Sequence, residues 1–168
     1  MKVIRFGAAR QEVDIQIEEL TLLSLEEYCL AKNVIPRIHE WYWLRSPSAD
    51  CSKYAGVAVS FGRGMYYNNV GLIRGVRPVL RIKNLEFVNL EVGDKFRLSD
   101  QLWTVISDNL ALCDRPVGSC WFRKNDNAVD ANIYERSDIK KWLEIWAENR
   151  IILEGAEQYD KDFRILLE

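Results

Sequence analysis

The sequence has no apolar run long enough to cross a membrane. About 18 or more consecutive apolar residues are needed for a transmembrane helix, and every apolar stretch of the 168-residue chain ends well before that length. The charged N-terminal residues 1–6 are not followed by the apolar segment of a secretory signal. We therefore expect a cytoplasmic protein with no membrane partner.

Histidine and clustered cysteine are also scarce. His39 is the sole histidine, which disfavours a Ser-His or Cys-His catalytic arrangement. The cysteines, Cys29, Cys51, Cys113 and Cys120, are widely spaced and form no C-x-x-C pair. A zinc site needs Cys and His ligands at short spacings, so we expect reduced, mostly buried thiols. The sequence implies no metal site and no cofactor.

Neither sign of charge dominates the chain. It carries 23 Lys and Arg residues against 25 Asp and Glu residues. The first half is slightly basic and the second half is acidic. A nucleic-acid-binding domain is expected to cluster its basic residues on one face, and this mild asymmetry does not predict a nucleic-acid partner.

Two segments carry the pattern of a capped helix. Ser24 is followed three residues later by Glu27, the spacing of a capping box, and this predicts a helix over about 25–33. Ser137 precedes apolar residues at i, i+3, i+4 and i+7, and this predicts a second helix over 137–149. We expect these to be the two main helices.

Most of the remaining chain has the short apolar patterns of strands. They predict strands at 13–17, 20–23, 41–45, 55–61, 65–69, 76–82, 85–90, 95–98, 102–106 and 110–113. Residues 113–130 are predicted to form a long irregular loop. Together these elements predict an α+β fold with small antiparallel sheets, in a single domain of residues 1–168 with halves 1–83 and 84–168.

Two short motifs bound the most distinctive part of the chain. W-L-R-S-P at 43–47 opens it and G-V-R-P at 75–78 closes it. This pair resembles the signature of a large family of uncharacterised bacterial and phage proteins. Segments 22–28, 103–106 and 134–143 also look like that family. Here the family's usual opening segments follow its closing signature, as in a circular permutation or a domain completed by a partner chain.

The resemblance implies a C-type lectin-like fold. Formylglycine-generating enzymes and the variable proteins of diversity-generating retroelements share that fold. It also implies that Trp43, Arg45 and Arg77 belong to the scaffold, although the two arginines could instead bind an anion through their planar guanidinium groups. We expect Trp41 to lie in the core as well. A phage-associated location is the alternative to the cytoplasm.

Between the two motifs lies a segment rich in Gly, Tyr and Asn. Tyrosine offers rigid contact area and asparagine offers adaptable hydrogen bonds, a mixture typical of recognition surfaces. In the retroelement-diversified relatives, the binding surface lies between these same two signature ends. We therefore predict a non-enzymatic domain that binds an unidentified protein or glycan through a hairpin surface made of Tyr54, Arg63, Tyr66, Tyr67, Asn68 and Asn69. The alternative is an ordinary hairpin.

Three further interpretations stay open. Cys113 and Cys120, the most closely spaced cysteines, could form the thiol pair of a formylglycine-generating-like oxidase, although they lie in no matching motif. Asp126, Asp130 and Asn132 could hold a calcium ion through oxygen ligands, although an EF-hand pattern is missing. The chain could also be a structural or assembly module, and its apolar C-terminal tail permits a homo-oligomer.

Overall fold

The computed structural model describes residues 1–6, 11–59, 64–148 and 150–151. Within these residues the chain forms an α+β fold of two β-sheets and two α-helices. The predicted α+β class is therefore confirmed. Most of the C-terminal tail, from residue 152 onward, lies outside the described residues.

The strands in chain order are β1 (Lys2–Phe6), β2 (Gln11–Asp14), β3 (Ile17–Thr21), β4 (Tyr42–Pro47), β5 (Tyr54–Ala58), β6 (Met65–Asn69), β7 (Ile73–Val76), β8 (Val79–Ile82), β9 (Lys95–Leu98), β10 (Gln101–Val105), β11 (Leu110–Cys113) and β12 (Gly118–Trp121). The helices are α1 (Leu25–Ala31) and α2 (Asp138–Ala147), with short 3₁₀-helices at Leu85–Phe87 and Tyr134–Arg136.

The larger sheet has seven strands in the order β2-β1-β9-β10-β11-β8-β3. Each neighbouring pair in it is antiparallel. β9 and β10 form a hairpin whose two turn residues, Ser99 and Asp100, both have positive φ. Phe96 and Trp103 are fully buried in its core.

The smaller sheet has five strands in the order β12-β7-β4-β5-β6. Its pairs are antiparallel except for β4 and β7, which run parallel and meet at Tyr42 and Gly75. α2 packs Ile139 and Leu143 into the core beside this sheet. Another core cluster joins residues of both sheets, including Leu44 of β4 and Leu112 of β11. β6, the outer strand of the β5–β6 hairpin, is one edge strand of the smaller sheet.

Both predicted helices form, and both begin at the predicted caps. The Ser24 hydroxyl accepts from the backbone N–H of Glu27, and the Glu27 carboxylate accepts from the N–H of Ser24, a complete capping box. Ser137 caps α2 by accepting from the N–H of Lys140. α1 ends at Ala31 rather than near residue 33, and α2 ends at Ala147 rather than 149.

Several predicted strand boundaries are wrong. Residues 85–90 do not form a strand, because Leu85–Phe87 closes into a 3₁₀ turn. The strand predicted at 76–82 is two strands in different sheets, β7 and β8, because the chain changes sheet at Arg77 and Pro78. The loop predicted at 113–130 contains β12, which pairs with β7. Because proline cannot donate a backbone hydrogen bond to a neighbouring strand, Pro78 favours the break between β7 and β8.

Candidate functional site

The predicted recognition residues lie on the hairpin formed by β5 and β6. The pairing is antiparallel and continuous, with Tyr54 opposite Asn69, Ala55 opposite Asn68, Gly56 opposite Tyr67, Val57 opposite Tyr66 and Ala58 opposite Met65. The predicted hairpin, with its return strand at 65–69, is therefore confirmed as a local structure. Arg63, the remaining predicted site residue, lies outside the described residues.

The register divides the predicted surface between two faces. Residues directly opposite each other in an antiparallel pair share a face, and side chains alternate along each strand. Tyr66 and Asn68 therefore lie on one face of the hairpin. Tyr54, Tyr67 and Asn69 lie on the other face. The single patch expected from the sequence is two adjacent surfaces that meet along the edge strand β6.

On the first face, four side chains form a connected group, called here the Trp41 cluster: Trp41, Tyr66, Asn68 and Arg74. The Trp41 and Tyr66 rings stack with centroids 6.2 Å apart and planes 18° apart. The guanidinium carbon of Arg74 lies 5.4 Å from the Trp41 ring centroid. Arg74 Nε donates to Asn68 Oδ1 at 3.0 Å. Tyr66 is 61% exposed and Trp41 is 38% exposed, so both rings are accessible to a ligand.

Arg74 has no carboxylate partner among the described residues. Its Nη1 donates to the carbonyl oxygen of Ile73 at 3.0 Å. The neighbouring carbonyl, the Asn68 amide and the Trp41 ring hold the guanidinium without neutralising it. Planar guanidinium groups stack on aromatic faces and bind carboxylates with two hydrogen bonds. The Trp41 cluster therefore combines aromatic contact area with a positive charge that no carboxylate of the described residues neutralises.

The second face is less connected. Tyr54 is 41% exposed and Tyr67 is 44% exposed. Asn69 is engaged within the fold, because its Oδ1 accepts from the N–H of Gly71 at 2.8 Å and its Nδ2 donates to Asp126 at 3.1 Å. The Asn69 side chain fixes the turn after β6, so it stabilises the hairpin and contributes less to the exposed surface.

Sequence reasoning missed two members of the Trp41 cluster. Trp41 was expected in the core, and this is wrong, since more than a third of the residue is exposed. Trp41 comes directly before β4, so it lies just outside the buried part of that strand, which includes Trp43. Arg74 gave no sequence signal, because its hydrogen bond to Asn68 depends on the path of the turn between β6 and β7.

Trp43 lies in the core, and Arg45 is half-buried beside α1. Trp43 is fully buried, and its Nε1 donates to the carbonyl oxygen of Cys120 at 2.9 Å. Arg45 donates to the carbonyl of Leu22 and to both carboxylate oxygens of Glu27. These contacts are those of scaffold residues.

Glu27 connects α1 to both sheets. Its carboxylate accepts from Arg45 of β4 and from Arg81 of β8. Burial raises the pKa of this carboxyl, but hydrogen bonds from Arg45 and from the Ser24 backbone, the Arg45 charge and the Arg81 hydrogen bond outweigh burial and bring the pKa to about 2. The ionised carboxylate therefore stabilises the junction between the sheets at neutral pH.

Arg77 is almost fully buried, with 1% exposure. Its Nε donates to the carbonyl of Cys113 at 2.8 Å, and its Nη2 donates to the carbonyls of Pro36 and Asp114 at 2.9 and 2.8 Å. The guanidinium also lies over the Tyr42 ring, 4.9 Å from its centroid. Arg77 therefore bonds two separate backbone segments, one at Pro36 and one at Cys113 and Asp114, at the point where the chain changes sheet.

The cysteine pair considered for oxidation chemistry is buried. Cys113 is fully buried and Cys120 is 8% exposed. Burial raises the pKa of the Cys113 thiol to about 12 and that of the Cys120 thiol to about 11. Since the thiolate is the reactive form of cysteine, both groups are protonated and unreactive near neutral pH. The described thiols are all free.

The residues considered for calcium each have partners within the fold. Asp126 accepts from Asn69. Asp130 pairs with Arg123 and with Arg136, whose hydrogen bond holds the pKa of the Asp130 carboxyl below its ordinary value.

Asn132 Nδ2 lies within 3.1 Å of three carbonyl oxygens, those of Ser48, Cys51 and Tyr54. This buried amide shapes the loop that leads into β5. Across the described ranges, no group of three or more His, Cys, Asp and Glu side chains is placed to hold a metal ion.

None of the helices described in the chain has the length and apolarity that a membrane crossing requires. Comparison with known proteins identifies no relative: no family model, no curated protein and no solved structure matches this chain.

Proposed function

We propose that this chain is a non-enzymatic binding domain that recognises a protein or a glycan through the β5–β6 hairpin. The observation that carries the proposal is the concentration of exposed aromatic rings on one hairpin. Tyr54, Tyr66 and Tyr67 are each more than 40% exposed, and Trp41 stacks beside Tyr66. Rigid aromatic side chains supply most of the binding energy in many recognition surfaces.

The scaffold beneath the hairpin supports this proposal. β5 is buried along four of its five residues, Ala55 to Ala58, and it anchors β6 through continuous pairing. Side chains on a strand are held more accurately than side chains on a loop, so their contact geometry is preset before a ligand arrives. A preset surface loses less conformational entropy on binding.

We propose further that the fold is of the C-type lectin-like type in a permuted segment order. The paired W-L-R-S-P and G-V-R-P motifs at 43–47 and 75–78 support this assignment, together with the hydrogen bonds that Trp43, Arg45 and Arg77 make within the fold. The two motifs bracket the hairpin, as they bracket the binding surface in the proteins they resemble. A bacterial or phage origin and a diversified hairpin belong to the same proposal.

A parallel screen tests the proposed function. The purified chain is applied to a printed glycan array and to an immobilised peptide array, beside a Tyr66→Ala, Tyr67→Ala double variant. Ile145→Ala is the matched control, since Ile145 is a 70% exposed apolar residue on α2, away from the hairpin. We expect at least one ligand that binds the wild type and the control but not the double variant. Binding profiles that are empty or identical for all three proteins would contradict the proposal.

A further inference from the structure

The edge of the smaller sheet at β6 lacks the features that usually prevent strands from pairing. Edge strands are commonly protected by charged side chains, proline, bulges or a covering element. β6, with the sequence M-Y-Y-N-N, contains no charge and no proline, and its pairing with β5 has no register shift. Within the described residues, β5 is the one element against which β6 packs extensively.

The other sheet edges are protected. β2 carries Glu12 and Asp14, and β3 carries Glu18 and Glu19. β12 is only four residues long and lies against α2, where the ring of Trp142 is within 3 Å of the position that a Cβ on Gly118 would take. β6 therefore differs from every other edge that the structure describes.

We propose that β6 pairs in antiparallel fashion with β6 of a second copy of this chain, so that two five-stranded sheets join into one. A two-fold axis brings identical strands together, so a charge at the axis would meet its own like charge, and a charge elsewhere on the strand would occur twice in the same interface. The uncharged β6 avoids that repulsion. The whole chain has a formal net charge of only −2, which also leaves little long-range repulsion between copies.

The side chains favour one register, with the two-fold axis at Tyr67. In this register Tyr67 faces Tyr67 of the second copy, and aromatic cross-strand pairs stabilise antiparallel sheets. Tyr66 then faces Asn68 of the second copy, on the face of the Trp41 cluster. Within each copy, Asn68 holds the Arg74 guanidinium. The exposed Tyr66 ring of one copy therefore comes next to the Arg74 guanidinium of the second copy, which no described carboxylate neutralises, and this is a favourable cation–π arrangement.

Self-association goes beyond the proposed ligand binding and does not depend on it. The added strand lies in the plane of the sheet, so the tyrosine side chains stay on its two faces. The hairpins of the two copies would then form one continuous surface, and a repetitive ligand could bind both with a gain in avidity.

Analytical ultracentrifugation without any ligand tests this proposal. The wild type is expected to show a concentration-dependent monomer–dimer equilibrium. Tyr67→Lys places like charges at the two-fold axis and is expected to weaken dimerisation at least tenfold, and Tyr67→Glu is expected to do the same. An equimolar mixture of these two variants is expected to recover the dimer, because opposite charges then face each other across the axis.

Tyr54→Lys is the matched control, since Tyr54 lies on the same face but on β5, away from the edge. It is expected to dimerise like the wild type, and circular dichroism checks that each variant is folded. A wild type that stays monomeric at every concentration, a dimer that Tyr67→Lys leaves intact, or a mixture that stays monomeric would each overturn the proposal. Because no ligand is present, these outcomes are independent of the array screen.

Discussion

Replacing Arg77 by alanine should strongly destabilise the fold. The substitution removes a buried guanidinium and leaves the carbonyl oxygens of Pro36, Cys113 and Asp114 without the donors that satisfy them. Each unsatisfied buried acceptor costs about 1–3 kcal/mol. Water entering the vacated space can satisfy some of the three acceptors, so we expect a total loss of about 3–5 kcal/mol. This is a large fraction of the stability of an ordinary domain.

Urea unfolding followed by tryptophan fluorescence measures the loss. With a urea dependence of about 2 kcal/mol per molar, the midpoint should fall by about 2 M. Arg74→Ala is the matched control, because Arg74 is a partly exposed arginine only three residues earlier in the chain, and its midpoint should move by less than about 0.3 M. If both variants shift the midpoint equally little, Arg77 does not hold the two segments together, and our account of the sheet junction is wrong.

Three further predictions follow from single contacts. The lowered pKa of Glu27 means that its stabilisation is complete above pH 4.5 and is lost as pH falls towards about 2. Glu27→Gln should therefore lower the urea midpoint at pH 7 by the equivalent of about 2–3 kcal/mol but should have little effect at pH 2. Gly118→Val should destabilise the fold by about 1–3 kcal/mol through collision with Trp142, and Trp142→Ala in the same chain should relieve part of that loss, as thermal unfolding would show. In a thiol-labelling assay at pH 8, exposed Cys29 should react quickly and Cys113 only on unfolding. Equal urea shifts at pH 7 and pH 2 would contradict the Glu27 prediction. A double variant whose two losses simply add would contradict the Gly118 prediction, and rapid labelling of Cys113 in the folded protein would contradict the thiol prediction.

Local signals in the sequence predicted much of the fold. The spacing of Ser24 and Glu27 identifies the start of α1, because a capping box needs only residues three apart in the chain. The apolar stripe of α2 and the short apolar patterns of β9 and β10 are equally local. Each of these patterns indicates a local preference for helix or strand, and the surrounding structure reinforces that preference.

Predictions failed where a tertiary contact decides the structure. Residues 76–82 read as one strand, but Arg77 turns into the interior and the chain continues in the other sheet. Residues 85–90 are apolar enough for a strand, yet Leu85–Phe87 forms a 3₁₀ turn in which Leu85 is buried. In both segments, composition favoured a strand and the position of neighbouring elements determined the outcome.

The candidate site was predicted in outline only. Composition predicts that the tyrosines and asparagines of β6 form a recognition surface, because such residues are unusual together in an ordinary strand, and the structure shows only that they share one hairpin. The division of the surface between two faces follows from the pairing register, which the sequence does not specify. The contribution of Arg74 depends on a contact with Asn68 across the turn after β6, and no local pattern indicates it.

The most direct test of the central claim is the affinity of an array-selected ligand for Tyr66→Ala, measured by isothermal titration calorimetry. Tyr66 is the most exposed ring of the hairpin and stacks on Trp41 without filling the core. If the hairpin is a recognition surface, the variant should bind at least about tenfold more weakly than the wild type while its unfolding midpoint stays unchanged. An unchanged dissociation constant would contradict that claim.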